Sequence, residues 1–361
     1  MMIDSTASAE VSDRTASRTE TLRVAVAGLG ARGIGHATAL ATIPGCELVG
    51  LADPRGAARR NLRGMGHAAP SYRRVDQMLA KTSPQAVFVS APLPARAALA
   101  RTALEHGCAV FLERPMATTA EQGAELVALA AEQGVPLAVA HTLAFEPVFD
   151  AARRAVSSGA LGKVSEARAS MYASRVFNAR EAMRYAHGAA GGVLAHMSVD
   201  LLFVLGRMFG APVEVRATAS RLYGTLEDEL HAMMTTEGGA EVGFDSSWSV
   251  PGHPYPATVI EVAAERGHLL VSDDALELDL TEPAAGFPAG HTLRRIADLP
   301  QPARFDVSGE ALWLEDAAFV AWASGGSSPS NTGEAALQTQ RVMEALYQSA
   351  REGGANVSVV R

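Results

Sequence analysis

The stretch TLRVAVAGLGARGIGHATALATIPGCELVGLADP, residues 21–54, decides the fold of this chain. An apolar strand from Leu22 to Ala27 runs into three glycines spaced G-x-G-x-x-G, and a helical stretch and a second apolar strand follow. Glycines in this order allow a tight turn, close approach of the backbone to a pyrophosphate, and close packing of helix on strand. The sequence therefore predicts a βαβ unit that binds a dinucleotide.

An acidic residue, Asp53, ends the second strand 20 residues after Gly33. A carboxylate at this point accepts hydrogen bonds from a ribose 2′-hydroxyl and repels a 2′-phosphate, which favours NAD as the cofactor. Arg55, Arg59 and Arg60 follow closely. Because arginine binds phosphate well, these residues keep NADP open as a second possibility.

The composition indicates a globular chain that works on small molecules. Its 361 residues, 48% hydrophobic and 19% charged, suffice for two domains, and the net charge of −8 argues against a nucleic-acid partner. Cys46 and Cys108 lack the spacing of a disulfide framework or a zinc site, which favours reduced thiols and the cytoplasm. The most apolar later segment contains charged residues, so we predict no membrane span. His187, His231 and His253 lack metal-ligand spacing, so we predict no metal site.

Short apolar runs alternate with helical stretches over residues 21–142, a pattern typical of a doubly wound parallel sheet in a Rossmann domain. Beyond this, alternating segments such as Val164 to Tyr172 predict an α+β domain with an open, mostly antiparallel sheet. The Gly/Pro-rich stretch 281–310 is interpreted as a long surface loop. We expect four regions: a disordered tail over 1–20, the dinucleotide-binding domain over 21–142, a substrate and oligomerisation domain over 143–330, and a C-terminal helix that packs back on the core within 331–361.

Six segments make the chain similar to the glucose-fructose oxidoreductase / inositol dehydrogenase family from about residue 22 to 355. The resemblance implies hydride transfer between a nicotinamide and a sugar, cyclitol or related carbonyl compound. It also implies homodimers or homotetramers formed through the outer face of the second sheet. The segments are VAVAGLGARGIGH (24–36), LADP (51–54), FLERPMATT (111–119), SGALGKV (158–164), GGVLAHMSVDLLFVLG (191–206) and SNTGEAALQTQRVMEALYQSAREG (330–353).

The chain departs from the family pattern where the family's catalytic residues lie. The family's Glu-Lys-Pro is Glu113-Arg114-Pro115 here, and its Asp and His, four residues apart, align with His196 and Asp200 in exchanged order. The Thr-Pro-Asn-x-x-His segment reads Ala91-Pro92-Leu93-Pro94-Ala95-Arg96, and His141 stands where an Asn or Gln often follows the fifth strand. The resemblance therefore carries over the fold and the cofactor, but not the catalytic assignment.

The exchange of lysine for Arg114 changes the chemistry expected of the site. A buried lysine can exchange a proton, whereas a guanidinium keeps its charge, so we expect Arg114 to bind substrate or stabilise a developing alkoxide. The role of proton donor and acceptor is then assigned to His196, because the ordinary pKa of histidine, about 6.5, suits proton transfer in both directions. If residues 192–206 are helical, Asp200 lies one turn away and orients this imidazole. The alternative is a structural His–Asp pair on a helix surface.

Several further residues complete the predicted sites. Tyr185 is a second candidate proton donor and Arg184 a candidate substrate-binding cation, with loop packing or a surface ion pair as the alternative for each. His141 is expected to line the nicotinamide pocket, with a structural histidine as the alternative. The predicted catalytic residues are His196, Arg114, Asp200 and Tyr185, and the predicted substrate-binding residues are Arg114, Arg184, Tyr185 and His196. The predicted cofactor-binding residues are Gly28, Leu29, Gly30, Ala31, Arg32, Gly33, Ile34, Asp53, Ala91, Pro92, Glu113 and His141.

The sequence thus predicts an NAD(P)-dependent oxidoreductase that acts on a small polar carbonyl, alcohol or imine. Two alternatives stay open at this point. One is an enzyme that keeps its NAD bound and recycles it within an epimerisation, elimination or glycoside cleavage. The other is a dinucleotide-binding sensor or regulator without turnover, since the family's catalytic residues are altered.

Overall fold

A computed structural model describes residues 21–178, 191–299 and 310–360. The first sheet is parallel throughout, with the strand order β3-β2-β1-β4-β5-β6. Its strands are Leu22–Ala27 (β1), Cys46–Ala52 (β2), Ser71–Tyr72 (β3), Ala86–Val89 (β4), Ala109–Leu112 (β5) and Leu137–Val139 (β6). The helices that cover it are Ala31–Leu40 (α1), Gly56–Gly64 (α2), Val75–Thr82 (α3), Leu93–Glu105 (α4) and Ala120–Gln133 (α5).

This arrangement confirms the predicted doubly wound sheet. The side chains of β1 alternate between two cores: Val24 and Val26 pack on one face of the sheet, and Ala25 and Ala27 on the other. Burial on both faces explains why these strands read as continuous apolar runs. The strand order reverses between β1 and β4, which leaves a crevice at their carboxyl ends, where ligands of such sheets bind.

The second sheet is open and mostly antiparallel, as predicted, with one parallel pair between β7 and β10. Burial alternates along its strands, so one face packs on helices and the other is exposed. Its strands, in chain order, are Val164–Tyr172 (β7), Pro212–Ser220 (β8), Glu229–Thr236 (β9), Glu241–Ser247 (β10), Ala257–Ala264 (β11), Gly267–Ser272 (β12), Ala275–Leu280 (β13), Gly290–Arg295 (β14) and Val357–Ser358 (β15). The spatial order is β14-β13-β12-β11-β7-β10-β9-β8-β15.

The stretch 281–310, expected to be a surface loop, contains a strand instead. β14 pairs antiparallel with β13 at the edge of the second sheet. Its sequence, GHTLRR, is exposed along nearly its whole length and carries no apolar alternation, which is why the pattern did not indicate a strand. Edge strands with charged residues are common because they discourage pairing with other chains.

Among the described residues, four more helices complete the fold. They are Pro147–Ser157 (α6), Val199–Phe209 (α7), Glu310–Ala323 (α8) and Gly333–Arg351 (α9). Although α8 follows the second sheet in the chain, its Phe319 packs among Phe88 and Phe111 of the first sheet. Helix α9 places Leu337 in the first sheet's core and Leu346 in the second sheet's core. The expected domain boundaries stay a prediction, and residues 1–20 lie outside the described residues.

A buried polar network fastens α8 to the first sheet. The imidazole of His36 in α1 lies between Asp316 (Nδ1 to Oδ1, 2.8 Å) and Glu113 (Nε2 to Oε1, 2.9 Å). Glu315 accepts hydrogen bonds from the backbone N–H of His141 at 2.5 Å and from Asn331 Nδ2 at 3.0 Å. Burial opposes the charge on His36, but the two carboxylates prevail and raise its pKa to about 9. Burial raises the pKa of Glu315 to about 8, so this carboxyl is mostly protonated at neutral pH.

The raised pKa of Glu315 makes stability depend on pH. The folded chain retains a proton that the unfolded chain releases above the ordinary pKa of 4.5, so stability declines as the pH rises from about 4.5 through 8. Glu315→Gln keeps an accepting oxygen for His141 and does not titrate. We expect Tm to fall less between pH 5 and pH 8.5 in this variant than in the wild type. Scanning calorimetry measures the two slopes, with exposed Glu261→Gln as the control; equal slopes for Glu315→Gln and wild type would contradict the assignment.

Candidate functional site

The glycine loop between β1 and α1 leaves open space at the start of α1. Gly28 has φ +95°, and a Cβ there would lie 2.5 Å from the carbonyl oxygen of Ser90. A Cβ on Gly33 would lie 1.8 Å from the carbonyl oxygen of Gly28, so helix and strand pack in direct contact. Above Gly30, by contrast, a Cβ would meet no atom within 4 Å. The N-terminus of α1 therefore faces a space that fits a pyrophosphate.

Asp53, at the end of β2, is held in place by the glycine loop and by Arg55. Its Oδ2 accepts the backbone N–H of Leu29 at 2.8 Å. The Arg55 guanidinium binds both carboxylate oxygens, through Nε at 3.0 Å and Nη2 at 2.9 Å. Burial opposes ionisation of Asp53, but these hydrogen bonds outweigh it and lower its pKa. The Asp53 side chain is 3% exposed and that of Arg55 64%, so Arg55 can move away from the pair at little cost.

A cavity of about 670 Å³ lies beside Asp53 and fits an adenosine. Its apolar side chains suit an adenine ring, while Arg55, Arg73 and Arg74 add positive charge. Arg74 forms an exposed ion pair with Asp76 at 2.5 Å. Arg73 and Arg74 are not among the residues predicted from the sequence; their signal is an Arg-Arg pair directly after the short strand β3. The apolar lining residues are Ala91, Pro92, Ala95 and Leu99.

A second cavity, of about 390 Å³, brings most of the predicted cofactor-binding residues together. Arg32 lies at its side, where Nε donates to Glu113 at 2.8 Å and Nη2 donates to Thr142 at 2.9 Å. The Leu29 side chain points into the core, so this residue contributes only its backbone N–H. The predicted residues that line this cavity are Gly28, Gly30, Ala31, Arg32, Asp53, Ala91, Pro92, Glu113 and Arg114.

Arg114 and His141 meet at one carboxylate oxygen. Arg114 follows β5, and its Nε lies 2.5 Å from Oδ1 of Asp200 on α7. His141 follows β6, and its Nδ1 lies 3.1 Å from the same oxygen. Nη1 of Arg114 also donates to the backbone carbonyl of His196 at 3.2 Å. The ends of β5 and β6 in the first sheet are thereby joined to α7, which packs in the core of the second sheet.

The structure corrects the expected contact between Asp200 and His196. Residues Leu194–Ser198 form a π-helical turn, which is wider than an α-helical turn and changes the spacing along the helix surface. Among the described residues, the side chains that contact the Asp200 carboxylate belong to Arg114 and His141. The dyad expected from α-helical spacing within one helix is therefore wrong, because Asp200 finds its partners across the crevice instead.

His196 lies in a positively charged environment that keeps it neutral. Burial, followed by the charges of Arg114, Arg96 and Arg175, lowers its pKa to about 4. The backbone before it is anchored by Glu227, whose Oε1 accepts the Gly192 N–H at 2.7 Å. His196 is therefore an uncharged group at neutral pH, in a cleft rich in arginine.

Arg96 is a structural member of the site that the sequence analysis did not interpret. It is buried in the first turns of α4, where Nη2 donates to the Ala91 carbonyl at 3.0 Å and Nη1 donates to the Pro115 carbonyl. Burial lowers its pKa to about 10. Arg96 thus joins the loops that follow β4 and β5 beneath the cleft. The signal was present, since Arg96 replaces the histidine of the family segment.

Other candidates fall outside this cluster. Arg184 and Tyr185 lie outside the described residues. Across residues 21–178, 191–299 and 310–360, no three His, Cys, Asp or Glu side chains are grouped as metal ligands would be. In the same ranges, no helix has the length and apolar character that spanning a membrane requires.

Comparison with known proteins identifies the family to which the chain belongs. A family model described as "Oxidoreductase family, NAD-binding Rossmann fold" matches residues 22–141, and "GFO/IDH/MocA C-terminal domain" matches residues 149–270. The D-apiose dehydrogenase of Paraburkholderia graminis is 26% identical over 366 residues, which cover 97% of this chain and 93% of the relative. The D-xylose 1-dehydrogenase (NADP(+)) 2 of Haloferax volcanii is 24% identical over 337 residues, which cover 91% of this chain and 97% of the relative.

The fold also matches a solved structure closely. A levoglucosan dehydrogenase in complex with NADH and levoglucosan has a TM-score of 0.84 with this chain, at 18% identity. The match covers 94% of this chain and all of the other, 100%. At this identity the likeness concerns the fold.

The pairing of Arg55 with Asp53 predicts how the chain distinguishes NADH from NADPH. Arg55→Ala leaves the Asp53 carboxylate unneutralised beside a 2′-phosphate, so we expect NADPH affinity to fall at least about tenfold, or ~1.4 kcal/mol. NADH affinity should change less than about threefold, because Asp53 still accepts from the 2′-hydroxyl. Titration of nicotinamide fluorescence measures both constants, with Arg63→Ala on the exposed side of α2 as the control. Equal losses for the two cofactors would refute this role of Arg55.

Proposed function

This chain belongs to the GFO/IDH/MocA oxidoreductase family and is an NAD(P)-dependent oxidoreductase, and from this premise we propose that its substrate is a sugar, a cyclitol or a similar polar alcohol or carbonyl compound. The names of its relatives, a D-apiose and a D-xylose dehydrogenase, support this substrate class. When bound, the nicotinamide supplies the acceptor or donor of a hydride. The chain's own residues must then position the substrate carbon and handle the hydroxyl proton.

One observation carries the proposal: a permanent cation and a neutral imidazole converge on one carboxylate beside the glycine loop. Arg114, His141 and Asp200 meet at the carboxyl ends of β5 and β6, on the same edge of the sheet as the loop after β1. Ligands of doubly wound sheets bind at that edge. A polar substrate placed there has a fixed positive charge for its oxygen and imidazole nitrogens for its proton.

Arg114 holds the substrate oxygen and stabilises the negative charge that develops on it. Its side chain is 23% exposed and lines the cavity beside the glycine loop, while its Nε remains paired with Asp200. A guanidinium keeps its proton, so Arg114 contributes charge and hydrogen bonds but transfers no proton. His196, neutral and next to Arg114, is a substrate-binding residue in this proposal.

The reaction is tested by incubating the purified protein with NAD⁺ or NADP⁺ and a panel of aldoses, cyclitols and their oxidised forms. Net oxidation increases absorbance at the reduced-nicotinamide band in step with formation of the carbonyl product. Turnover of a substrate without net nicotinamide reduction, with cofactor that never exchanges, would indicate internal recycling instead. Tight NAD binding with no turnover of any compound would overturn the proposal in favour of a sensor.

Substitution of Arg114 tests its electrostatic role. Arg114→Ala is expected to lower kcat by about 10²-fold, the usual effect of removing one donor to a developing oxyanion, while NADH binding changes little. Arg114→Lys restores a cation and should lose less than about tenfold, although a single ammonium cannot make both contacts of the guanidinium. Steady-state kinetics on a substrate found in the panel separates the two variants. Unchanged kcat in Arg114→Ala would exclude this role.

We also propose a homodimer or homotetramer that forms through the exposed face of the second sheet, in the cytoplasm. Support for the assembly comes from large apolar side chains on β11 and β14 that remain exposed in the single chain, Val259 at 38% and Leu293 at 39%. Support for the compartment comes from Cys46 and Cys108, which are free thiols. Light scattering after gel filtration measures the mass, and a monomer would contradict the proposed assembly.

A further inference from the structure

His141 is held by three different contacts at the carboxyl edge of the first sheet. Its backbone N–H donates to Glu315 at 2.5 Å, and its Nδ1 contacts Asp200 at 3.1 Å. Its ring stacks on Phe203 of α7, with the centroids 4.0 Å apart and the planes 5° from parallel. Position, ring plane and rotation are therefore all set before a substrate arrives, which is the preorganisation that a catalytic group needs.

The contact with Asp200 determines which nitrogen carries the proton. An ionised carboxylate only accepts hydrogen bonds, so Nδ1 of His141 must donate to Oδ1 of Asp200. A neutral imidazole has one N–H, and its other nitrogen, Nε2, then has a free lone pair. Burial is the main cause that lowers the pKa of His141, which keeps the ring neutral at physiological pH. His141 is thus in the tautomer that a general base requires, with its proton on Nδ1 and a lone pair on Nε2.

Nε2 is left available to a ligand. Among the described residues, the hydrogen bond of the His141 side chain is that of Nδ1, and none involves Nε2; its backbone N–H and carbonyl bond to Glu315 and to the Ala144 N–H. Nor does Nε2 belong to the buried polar atoms there that are sealed from solvent without a partner. Since Nε2 has no partner among the described residues and is not sealed, it lies within the 2% of this side chain that stays exposed. The charged groups around the ring are Asp200, Arg114 and Glu113, with protonated Glu315 behind it.

We propose that His141 is the proton acceptor of the reaction and that Asp200 is the residue that orients it. The inference rests on the proposed function and assigns the base within it. In the oxidative direction the substrate O–H bond breaks and its proton passes to Nε2. The electron pair of the C–H bond leaves as a hydride for the oxidised nicotinamide, and the carbon–oxygen double bond forms. Asp200 stabilises the imidazolium that results, and Arg114 stabilises the alkoxide character of the oxygen.

The surroundings of His196 make it the weaker candidate. Arg114, Arg96 and Arg175 all oppose a positive charge on its ring. A proton placed on His141 meets the Asp200 carboxylate directly, whereas one placed on His196 meets mainly guanidinium groups. Because a base must hold its proton long enough for the hydride to leave, the carboxylate-supported imidazole is favoured.

The test compares four variants on a substrate that the wild type oxidises. His141→Gln is expected to lower kcat by about 10²-fold or more, with NADH affinity nearly unchanged. It should also remove the acidic limb of the pH profile of kcat/KM, the fall in rate at low pH that reports protonation of the base. Asp200→Asn can present an amide N–H to Nδ1, which moves the imidazole proton to Nε2, so kcat should fall by about 10²-fold to 10⁴-fold. His196→Gln should retain the acidic limb and change mainly KM. Asp279→Asn is the matched control, because Asp279 contacts an exposed histidine, His291, at the same 3.1 Å.

Thermal unfolding of each variant distinguishes loss of the base from loss of the fold. If His196→Gln loses the acidic limb while His141→Gln keeps both the limb and kcat, the inference is overturned and the proposed function stands. If the wild type oxidises no compound with either cofactor, the proposed function fails first. If His141→Gln proves unstable, Asp200→Asn decides alone, since it preserves size and shape: near-wild-type kcat would overturn the inference, and the expected loss with an unchanged Tm would support it.

Discussion

The site depends on a single carboxylate oxygen, Oδ1 of Asp200, which forms an ion pair with Arg114 and accepts a hydrogen bond from His141. A carboxylate this deeply buried is costly unless charged and polar partners surround it. Here the partners come from the ends of two strands of the first sheet, while Asp200 comes from the helix that packs under the second. The same contact therefore joins the first sheet to the helix on the second, and it orders the groups that we propose act on the substrate.

The charges around this oxygen explain how the chain can dispense with a lysine. A lysine supplies both a positive charge and an exchangeable proton, and in the proposed reaction two residues share these tasks. Arg114 then provides a charge that pH does not change, and the neutral imidazole of His141 provides the exchangeable proton. Behind them, protonated Glu315 and the His36–Asp316 pair fix the backbone of His141 and the position of Glu113 without adding negative charge next to the base. The buried network thus holds His141 and Glu113 in place.

The parts that local sequence patterns predicted are those that short-range physics determines. The loop from Gly28 to Gly33, Asp53 at the end of β2 and the capped helix α9 each follow from residues close together in the chain. The site could not be predicted in the same way. The π-helical turn at 194–198 has no residue signature, and α-helical spacing therefore paired Asp200 with the wrong histidine. The true partner, His141, is 59 residues away, and Glu315 looks like an ordinary surface acid until the fold of α8 buries it.

The central claim is that Asp200 holds His141 as a neutral imidazole with its proton on Nδ1. Nitrogen NMR of protein labelled with ¹⁵N in histidine, with NADH bound at pH 7, measures this directly, and the His141→Gln spectrum identifies the signals. The structure predicts a protonated Nδ1 and a bare Nε2 for His141. A proton on Nε2 alone, or an imidazolium with both nitrogens protonated, would contradict it.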